Sequence, residues 1–248
     1  MPEKNLELNH LSTTKVSQFD LSNYLIVWPV SSTEQHGPHL PLGTDAMILG
    51  AVVDGVLADL DEGFKGLFLP TLKIGKSPEH LSFPGTVSFR SSTMLAMFDD
   101  VVSSLQRHGS KTFVFLNSHG GNSSLIDAAG YDLRDKYGVK TYHLFLWTGK
   151  EYEELLKRLF PALQDLEIHA ASHETSLMLY LHPELVGEIP PANPASPVIG
   201  SIPYGWRSLD FGQSGVIGDP SFASAQAGEA LYHFAVKNVC DKLHSIRC

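Results

Sequence analysis

Two carboxylates and two imidazoles lie close together between residues 34 and 45, in the segment E-Q-H-G-P-H-L-P-L-G-T-D. Glu34 and His36 are two positions apart, so on an extended segment their side chains share a face. Asp45 comes after a loop that contains proline and glycine, which allows the chain to turn back towards the same point. Carboxylates and imidazoles together are ligands for Zn, Mn or Fe. The alternative is a polar loop whose side chains cap nearby backbone groups.

A second polar cluster, N-S-H-G-G-N at residues 117–122, comes directly after an apolar run and precedes a helical pattern. Its paired glycines allow positive φ angles and a close backbone approach, which frees His119 to project into a cleft. The alternative is structural: Asn122 or Ser123 caps the helix, and His119 lies on the surface.

The third cluster is H-A-A-S-H-E-T-S at residues 169–176. Glu174 precedes Leu177, Met178 and Leu181 by helical spacings, which places it on the apolar stripe of its helix. A buried carboxylate is costly unless it is paired or coordinates a metal ion. The alternative is a helix register shifted by one residue, which would leave Glu174 in solvent.

Strand-like and helix-like patterns alternate along the chain. Apolar runs predict strands at 24–30, 66–70, 111–116 and 139–146, and helical periodicity predicts helices at 46–60, 91–107, 123–136, 151–160, 170–182 and 223–243. This alternation predicts an α/β fold in which a mostly parallel sheet is covered on both faces. Ligands of such sheets sit beyond the carboxyl ends of the strands. The loops at 34–45 and 117–122 both come after strands and are therefore expected at one edge.

Composition narrows the possible functions. The 248 residues, 43% of them hydrophobic, are sufficient for a sizeable core, and the formal net charge of −9 argues against nucleic-acid binding. The proline-rich segment 189–197 resembles a linker, but the residues after it are too few for a second core, so we predict one domain over 1–248. The N-terminus lacks the pattern of a secretory signal, no apolar run reaches the ~20 residues that span a membrane, and both cysteines lie near the C-terminus. We therefore expect a cytoplasmic protein without membrane or nucleic-acid partners.

These clusters resemble the motifs of the creatininase (creatinine amidohydrolase) family. Two further segments agree with that family, S-P-E-H-L-S-F-P-G-T at 77–86 and G-V-I-G-D-P at 215–220. The resemblance runs through five ordered motifs and implies a three-layer α/β/α fold with a site for two divalent ions (Zn, Mn or Fe). It also implies hydrolysis of an amide or related C–N bond in a small molecule, and a homo-oligomer, often a hexamer.

The resemblance also assigns roles to individual positions. The metal ligands of the family match Glu34, His36, Asp45, His119 and Glu174. Asp45 matches the carboxylate that bridges both ions, and His169 matches the histidine that is proposed to shuttle protons. Trp147 lies in the region where creatininase places tryptophans against its substrate.

A separate loop supplies two more candidates for substrate contact. Glu79 and His80 lie between proline and glycine residues, in a segment typical of a functional loop. The alternative for both residues is a solvated turn.

Three positions depart from the family pattern. Creatininase itself has a glutamate ligand where this chain has Gly121, and many relatives have Gly and Glu at the positions of Ala171 and Ser172. The Gly-Gly form resembles the broader family, which includes a formamide deformylase and a peptidase that trims a redox-cofactor precursor. Creatinine is therefore not the first substrate that we expect.

The ligand set predicts the reaction. Two divalent ions lower the pKa of a bridging water towards neutrality, so we expect a metal-bridged hydroxide to attack an amide, formamide or lactam carbonyl. His169 would then protonate the leaving nitrogen. The alternatives are a catalytically silent metal-binding relative and a peptidase that acts on a small peptide. A flavodoxin-like nucleotide binder ranks below these because no Gly-x-Gly-x-x-Gly motif comes after the first predicted strand.

Overall fold

A computed structural model describes residues 6–163, 167–193 and 205–246. The strands in these ranges are β1 (Leu6–Glu7), β2 (Leu25–Val30), β3 (Gly66–Phe68), β4 (Thr112–Asn117) and β5 (Lys140–Phe145). The α-helices are α1 (Thr13–Val16), α2 (Thr44–Asp59), α3 (Ser91–Gln106), α4 (Ser123–Tyr137), α5 (Lys150–Leu159), α6 (Ser172–Leu181) and α7 (Ala225–Ser245).

The strands form one five-stranded sheet in the order β1-β3-β2-β4-β5, and every described pairing is parallel. The central strands β2 and β4 pair along their whole length, from Leu25 opposite Thr112 to Val30 opposite Asn117. Because both strands end at the same level, the chain segments after Val30 and Asn117 begin side by side. This register brings the first two polar clusters of the sequence to one edge of the sheet.

Helices cover both faces of the sheet, as the alternating side chains of β2 show. Ile26 and Trp28 point into a core formed with α3 and α4, whereas Leu25 and Val27 point into a core formed with α2 and α7. Both faces are apolar because both are buried, as is typical of parallel sheets. The predicted α/β fold, a three-layer α/β/α arrangement with a mostly parallel sheet, is confirmed.

The predicted strands and helices agree with the structure to within two residues at each end. Strand β1 and helix α1 were not predicted from the sequence, because they are too short to show a periodicity. Part of the proline-rich segment, residues 194–197, lies outside the described residues. Within the described ranges, no helix is long and apolar enough to cross a membrane.

A close contact between α6 and α7 fixes the helix that carries Glu174. A side chain at Gly228 of α7 would collide with the backbone carbonyl of Ser176 in α6. The Ser224 side chain accepts a hydrogen bond from the Ala227 N–H and thereby caps α7 at this contact. Glycine at position 228 therefore allows the two helices to pack closely enough to hold α6 against the sheet edge.

Candidate metal centre

The five predicted metal ligands lie together, buried, at the carboxyl edge of the sheet. Asp45 and Glu174 stand in the first turns of α2 and α6, where the helix dipole favours a negative charge. His119 comes just after β4. Ligand atoms lie within 4.8 Å of one another in three groups: Glu34, Asp45 and His119; His36, Asp45 and Glu174; and Glu34, His36 and His169.

The Asp45 carboxylate lies between two of these groups. Its Oδ1 is 3.6 Å from His36 Nε2, and its Oδ2 is 3.5 Å from His119 Nδ1. The two oxygens of one side chain thus face different imidazoles, which is the arrangement that a bridging ligand requires. The Ser32 hydroxyl donates a hydrogen bond to Asp45 Oδ2 and holds the carboxylate in this orientation. The sequence analysis did not identify Ser32.

The negative charge of the cluster and its unpartnered ligand atoms both fit divalent cations. Glu34 Oε2 and His36 Nε2 are buried and have no hydrogen-bond partner among the residues that the structure describes. Burial disfavours a charge on His36 and His119, but the neighbouring carboxylates outweigh it and raise the pKa of each imidazole to about 10. Three buried carboxylates therefore require nearby positive charge. Carboxylate oxygens and imidazole nitrogens are the donor set that Zn, Mn and Fe prefer.

Hydrogen bonds outside the cluster orient both histidines. His36 Nδ1 lies 3.1 Å from the Glu34 backbone carbonyl, so Nε2 faces the cluster. His119 Nε2 lies 3.0 Å from the Lys76 carbonyl, so Nδ1 faces Glu34 Oε1 at 3.2 Å. When one ring nitrogen donates to a carbonyl, the other presents its lone pair to a metal ion. Both imidazoles are therefore oriented as ligands.

His169 lies at the edge of the cluster between two other imidazoles. Its ring centroid is 4.4 Å from that of His36 and 4.2 Å from that of His80. Nε2 is 2.6 Å from the Gln35 backbone carbonyl, which leaves Nδ1 facing Glu34 Oε1 at 3.7 Å. Burial and the neighbouring His80 and His36 hold the pKa of His169 well below its usual range. The imidazole is therefore neutral, and its Nδ1 presents an unprotonated lone pair to the cluster.

The two residues of the predicted 79–80 loop lie in different surroundings. His80 is buried, and its Nε2 lies 3.4 Å from Glu34 Oε1, so the alternative of a solvated turn is wrong for this residue. Glu79 lies beside the far side of His119, with Oε1 3.7 Å from Nε2. Both line a cavity of about 330 Å³ that opens onto the cluster, and Trp147 lines it as well. A cavity of this size suits a small substrate.

Glu167 also lines this cavity, and the sequence analysis missed it. Its carboxylate accepts hydrogen bonds from the backbone N–H groups of Ser172 at 2.6 Å and Asp219 at 3.0 Å. Burial raises the pKa of Glu167 to about 7 despite these hydrogen bonds. The carboxylate holds the N-terminus of α6, two residues before Glu174. Position 167 lies outside any regular pattern, so only the folded chain shows this role.

Comparison with known proteins identifies the family. A sequence model described as creatininase (creatinine amidohydrolase) matches residues 9–243. A mycofactocin precursor peptide peptidase of Mycolicibacterium smegmatis is 32% identical, covering 94% of this chain and 90% of the relative. A creatinine amidohydrolase of Pseudomonas putida is 28% identical, covering 88% of each chain. A solved structure titled "Creatininase Mn" superposes with a TM-score of 0.82 at 25% identity, covering 98% of both chains.

The chain belongs to the creatininase family, a family of divalent-metal hydrolases. The predicted resemblance is thereby confirmed. The relatives differ in what their names say they hydrolyse, a peptide in one case and creatinine in the other. Family membership therefore gives the hydrolase class but not the substrate.

The variant Glu174→Gln tests whether Glu174 is a metal ligand, and we expect it to retain the fold. Glu174→Gln keeps the side-chain volume and the acceptor for the Ala170 N–H but removes the charge that faces His36 Nε2 at 3.9 Å. We expect metal affinity to fall at least about tenfold, since changing even the outer partners of ligands costs 10–100-fold. Metal titration of the desalted variant, with calorimetric melting to verify the fold, measures this. Unchanged metal affinity would exclude Glu174 as a ligand.

Proposed function

We propose that the protein is a metal-dependent amidohydrolase that cleaves a C–N bond in a small amide, formamide or lactam. The observation that carries the proposal is the position of Asp45, whose two oxygens face two separate groups of buried ligands. One group would hold an ion with Glu34, Asp45 and His119, and the other with His36, Asp45 and Glu174. Two divalent ions at such a site supply an activated water and polarise the carbonyl that it attacks.

In this proposal His169 moves the proton. Its Nε2 hydrogen is held by the Gln35 carbonyl at 2.6 Å, so Nδ1 is free to accept a proton from the attacking water. The same nitrogen can then donate that proton to the departing nitrogen of the amide. The rings of His80 and His36 lie 4.2 Å and 4.4 Å from the His169 ring, between centroids, and limit its rotation. The imidazole can therefore accept and donate the proton without reorientation.

The remaining contacts orient the substrate. Trp147, Glu79 and His80 line the cavity next to the cluster, and we propose that they contact the substrate. Trp147 packs edge-on against His173 at 5.9 Å between ring centroids, which fixes the plane of its indole. A fixed aromatic wall beside the reacting atoms restricts the poses of a bound amide.

A second candidate function is cleavage of a small peptide. The similarity to the mycofactocin precursor peptide peptidase supports it, because this relative is 32% identical over nearly the whole chain. The same site would attack a peptide carbonyl in place of a formamide or lactam. The third alternative is a relative that binds metal but has no catalytic activity. The complete set of five predicted ligands argues against it.

Metal stoichiometry tests the site. We expect close to two divalent ions per chain after loading with Zn, Mn or Fe, because Asp45 joins two ligand groups. Elemental analysis of carefully desalted protein measures the ratio. A ratio below half an ion per chain after loading would refute the metal centre.

Turnover separates the candidate functions. The metal-loaded protein would be tested on matched panels of formamides, lactams and dipeptides, with the chelator-treated protein as the control. Hydrolysis of the first two panels supports the amidohydrolase, hydrolysis of dipeptides alone supports the peptidase, and metal binding without turnover supports the silent relative. We also propose a cytoplasmic location and a homo-oligomer, with a hexamer as the expected assembly. Light scattering would test the oligomer.

A further inference from the structure

Apart from the predicted metal ligands, the acidic side chains that line the cavity are not balanced by basic ones. Besides the predicted metal ligands, the lining contains two carboxylates, Glu79 and Glu167, and no lysine or arginine among the described residues. Lys76 interacts electrostatically with Glu79 but does not line the cavity. An anionic group of a substrate that lies away from the metal ligands would therefore contact carboxylates, and no lysine or arginine of the lining would pair with it.

Glu167 is held in place but retains acceptor capacity. Its carboxylate accepts backbone hydrogen bonds from Ser172 and Asp219, and the backbone N–H of His173 also interacts with it. A carboxylate has about four lone-pair sites in total, so Glu167 can accept a further donor from the cavity side. The side chain is half-buried rather than enclosed, which leaves this side accessible. It is therefore a preorganised acceptor for a donor that carries positive charge.

Aromatic rings form the rest of the wall. Trp147, Tyr152 and Trp206 line the same cavity, and the rings of Trp147 and Tyr152 are 5.8 Å apart between centroids. Indole and phenol faces attract organic cations, most strongly where water is excluded. Carboxylates and aromatic faces around one small cavity are the combination that recognises an ammonium or an amidinium group.

We propose that the cavity selects amides that carry a positively charged ammonium or amidinium group and rejects amides that carry a free carboxylate beside Glu79 or Glu167. The proposal rests on the proposed function, because it names the substrate class of the same site. The selection acts in both directions, since a carboxylate in this region would lose its water without gaining a partner. A peptide with a free C-terminus near Glu167 would be excluded for this reason.

Three probes of similar shape test the charge preference. Benzamidinium, acetophenone and benzoate are planar, differ chiefly in charge, and contain no amide to hydrolyse. Calorimetric titration into the metal-loaded protein would give each dissociation constant. We expect benzamidinium to bind at least about tenfold more tightly than acetophenone, since a desolvated cation gains from both carboxylates and aromatic faces. Equal affinities of these two probes would overturn the proposal, whereas benzoate can also bind the metal ions through its carboxylate and serves only as a probe of those ions.

Two variants test whether the preference for benzamidinium depends on Glu167 and Glu79. Glu167→Gln and Glu79→Gln should each weaken benzamidinium binding at least about fivefold and leave acetophenone binding unchanged, because each removes a carboxylate whose ionised form a bound cation favours. Glu153→Gln, the same change at an exposed position of α5, is the matched control. Benzamidinium affinity that stays unchanged in both cavity variants would also overturn the proposal. If the Glu167 variant does not fold, the Glu79 variant and the three probes still test the charge preference.

Binding and turnover report on different claims. A preference for benzamidinium in a protein that hydrolyses no amide would contradict the proposed function but support the charge selection. Amide hydrolysis without any preference among the probes would contradict only the charge selection. The two inferences can therefore fail separately.

Discussion

Asp45→Ala is expected to remove both divalent ions together and to reduce hydrolysis to background. The carboxylate is the one side chain shared by the group of Glu34 and His119 and the group of His36 and Glu174. Loss of the metal contribution, worth several kcal/mol of transition-state stabilisation, corresponds to at least about 10³-fold in kcat/KM. Elemental analysis and turnover on a substrate from the amide panel measure the two effects.

His36→Ala provides the comparison for this variant. His36 belongs to the second ligand group and not to the group of Glu34, Asp45 and His119, so its loss should weaken mainly one ion. Asp54→Ala, at an exposed position of the same helix α2, is the control for the fold and should retain both ions. An equal, partial loss of metal in the Asp45 and His36 variants would show that Asp45 does not bridge.

The sequence predicted the layers of the fold because burial leaves a periodic signal. In β2, for example, both alternating sets of side chains are apolar, which indicates a strand covered on two faces. The parallel order then fixes where the loops after β2 and β4 meet, so the proximity of the first two clusters is a consequence of topology. Glu174 was predicted at a buried position by its helical spacing, and the structure places it there.

The remaining parts of the site depend on contacts between distant segments. Glu167 accepts a hydrogen bond from the N–H of Asp219, and His80 Nδ1 is within hydrogen-bond distance of both Gln35 and Ser208. No local pattern pairs these positions. Ser32 resembles an ordinary loop serine until Asp45 is placed beside it. These hydrogen bonds arise only once the loops have folded over the sheet edge.

Gly121 illustrates the same limit. In sequence it is a departure from creatininase, which has a glutamate ligand there. In the structure a side chain at this position would meet Glu79 Oε1 at 2.5 Å and the Lys76 carbonyl at 2.5 Å. The space is already filled by the 76–79 segment, so glycine is required for the loop of His119 to pack against it. The sequence shows the missing glutamate but not that Glu79 packs against this position.

His169 is expected to be required for turnover and dispensable for metal binding. Its Nδ1 faces the cluster while the Gln35 carbonyl holds Nε2, an arrangement that suits proton transfer at one defined nitrogen. General acid–base catalysis contributes typically 10²–10⁴-fold, so His169→Ala should lower kcat by about that factor with both ions still bound. Steady-state kinetics and elemental analysis of the same preparation measure both quantities. His182→Ala, at the other end of α6, is the control and should retain full activity.

Two further readouts distinguish proton transfer from a purely structural role of His169. The loss in kcat should shrink for substrates with better leaving groups, because these need less protonation in the transition state. Added imidazole should restore part of the activity, since the 330 Å³ cavity beside the deleted ring can admit a small base. A variant with near-full kcat on an ordinary amide would refute the proton-transfer role. A variant that lost metal would instead assign His169 to the ligand group that it forms with Glu34 and His36.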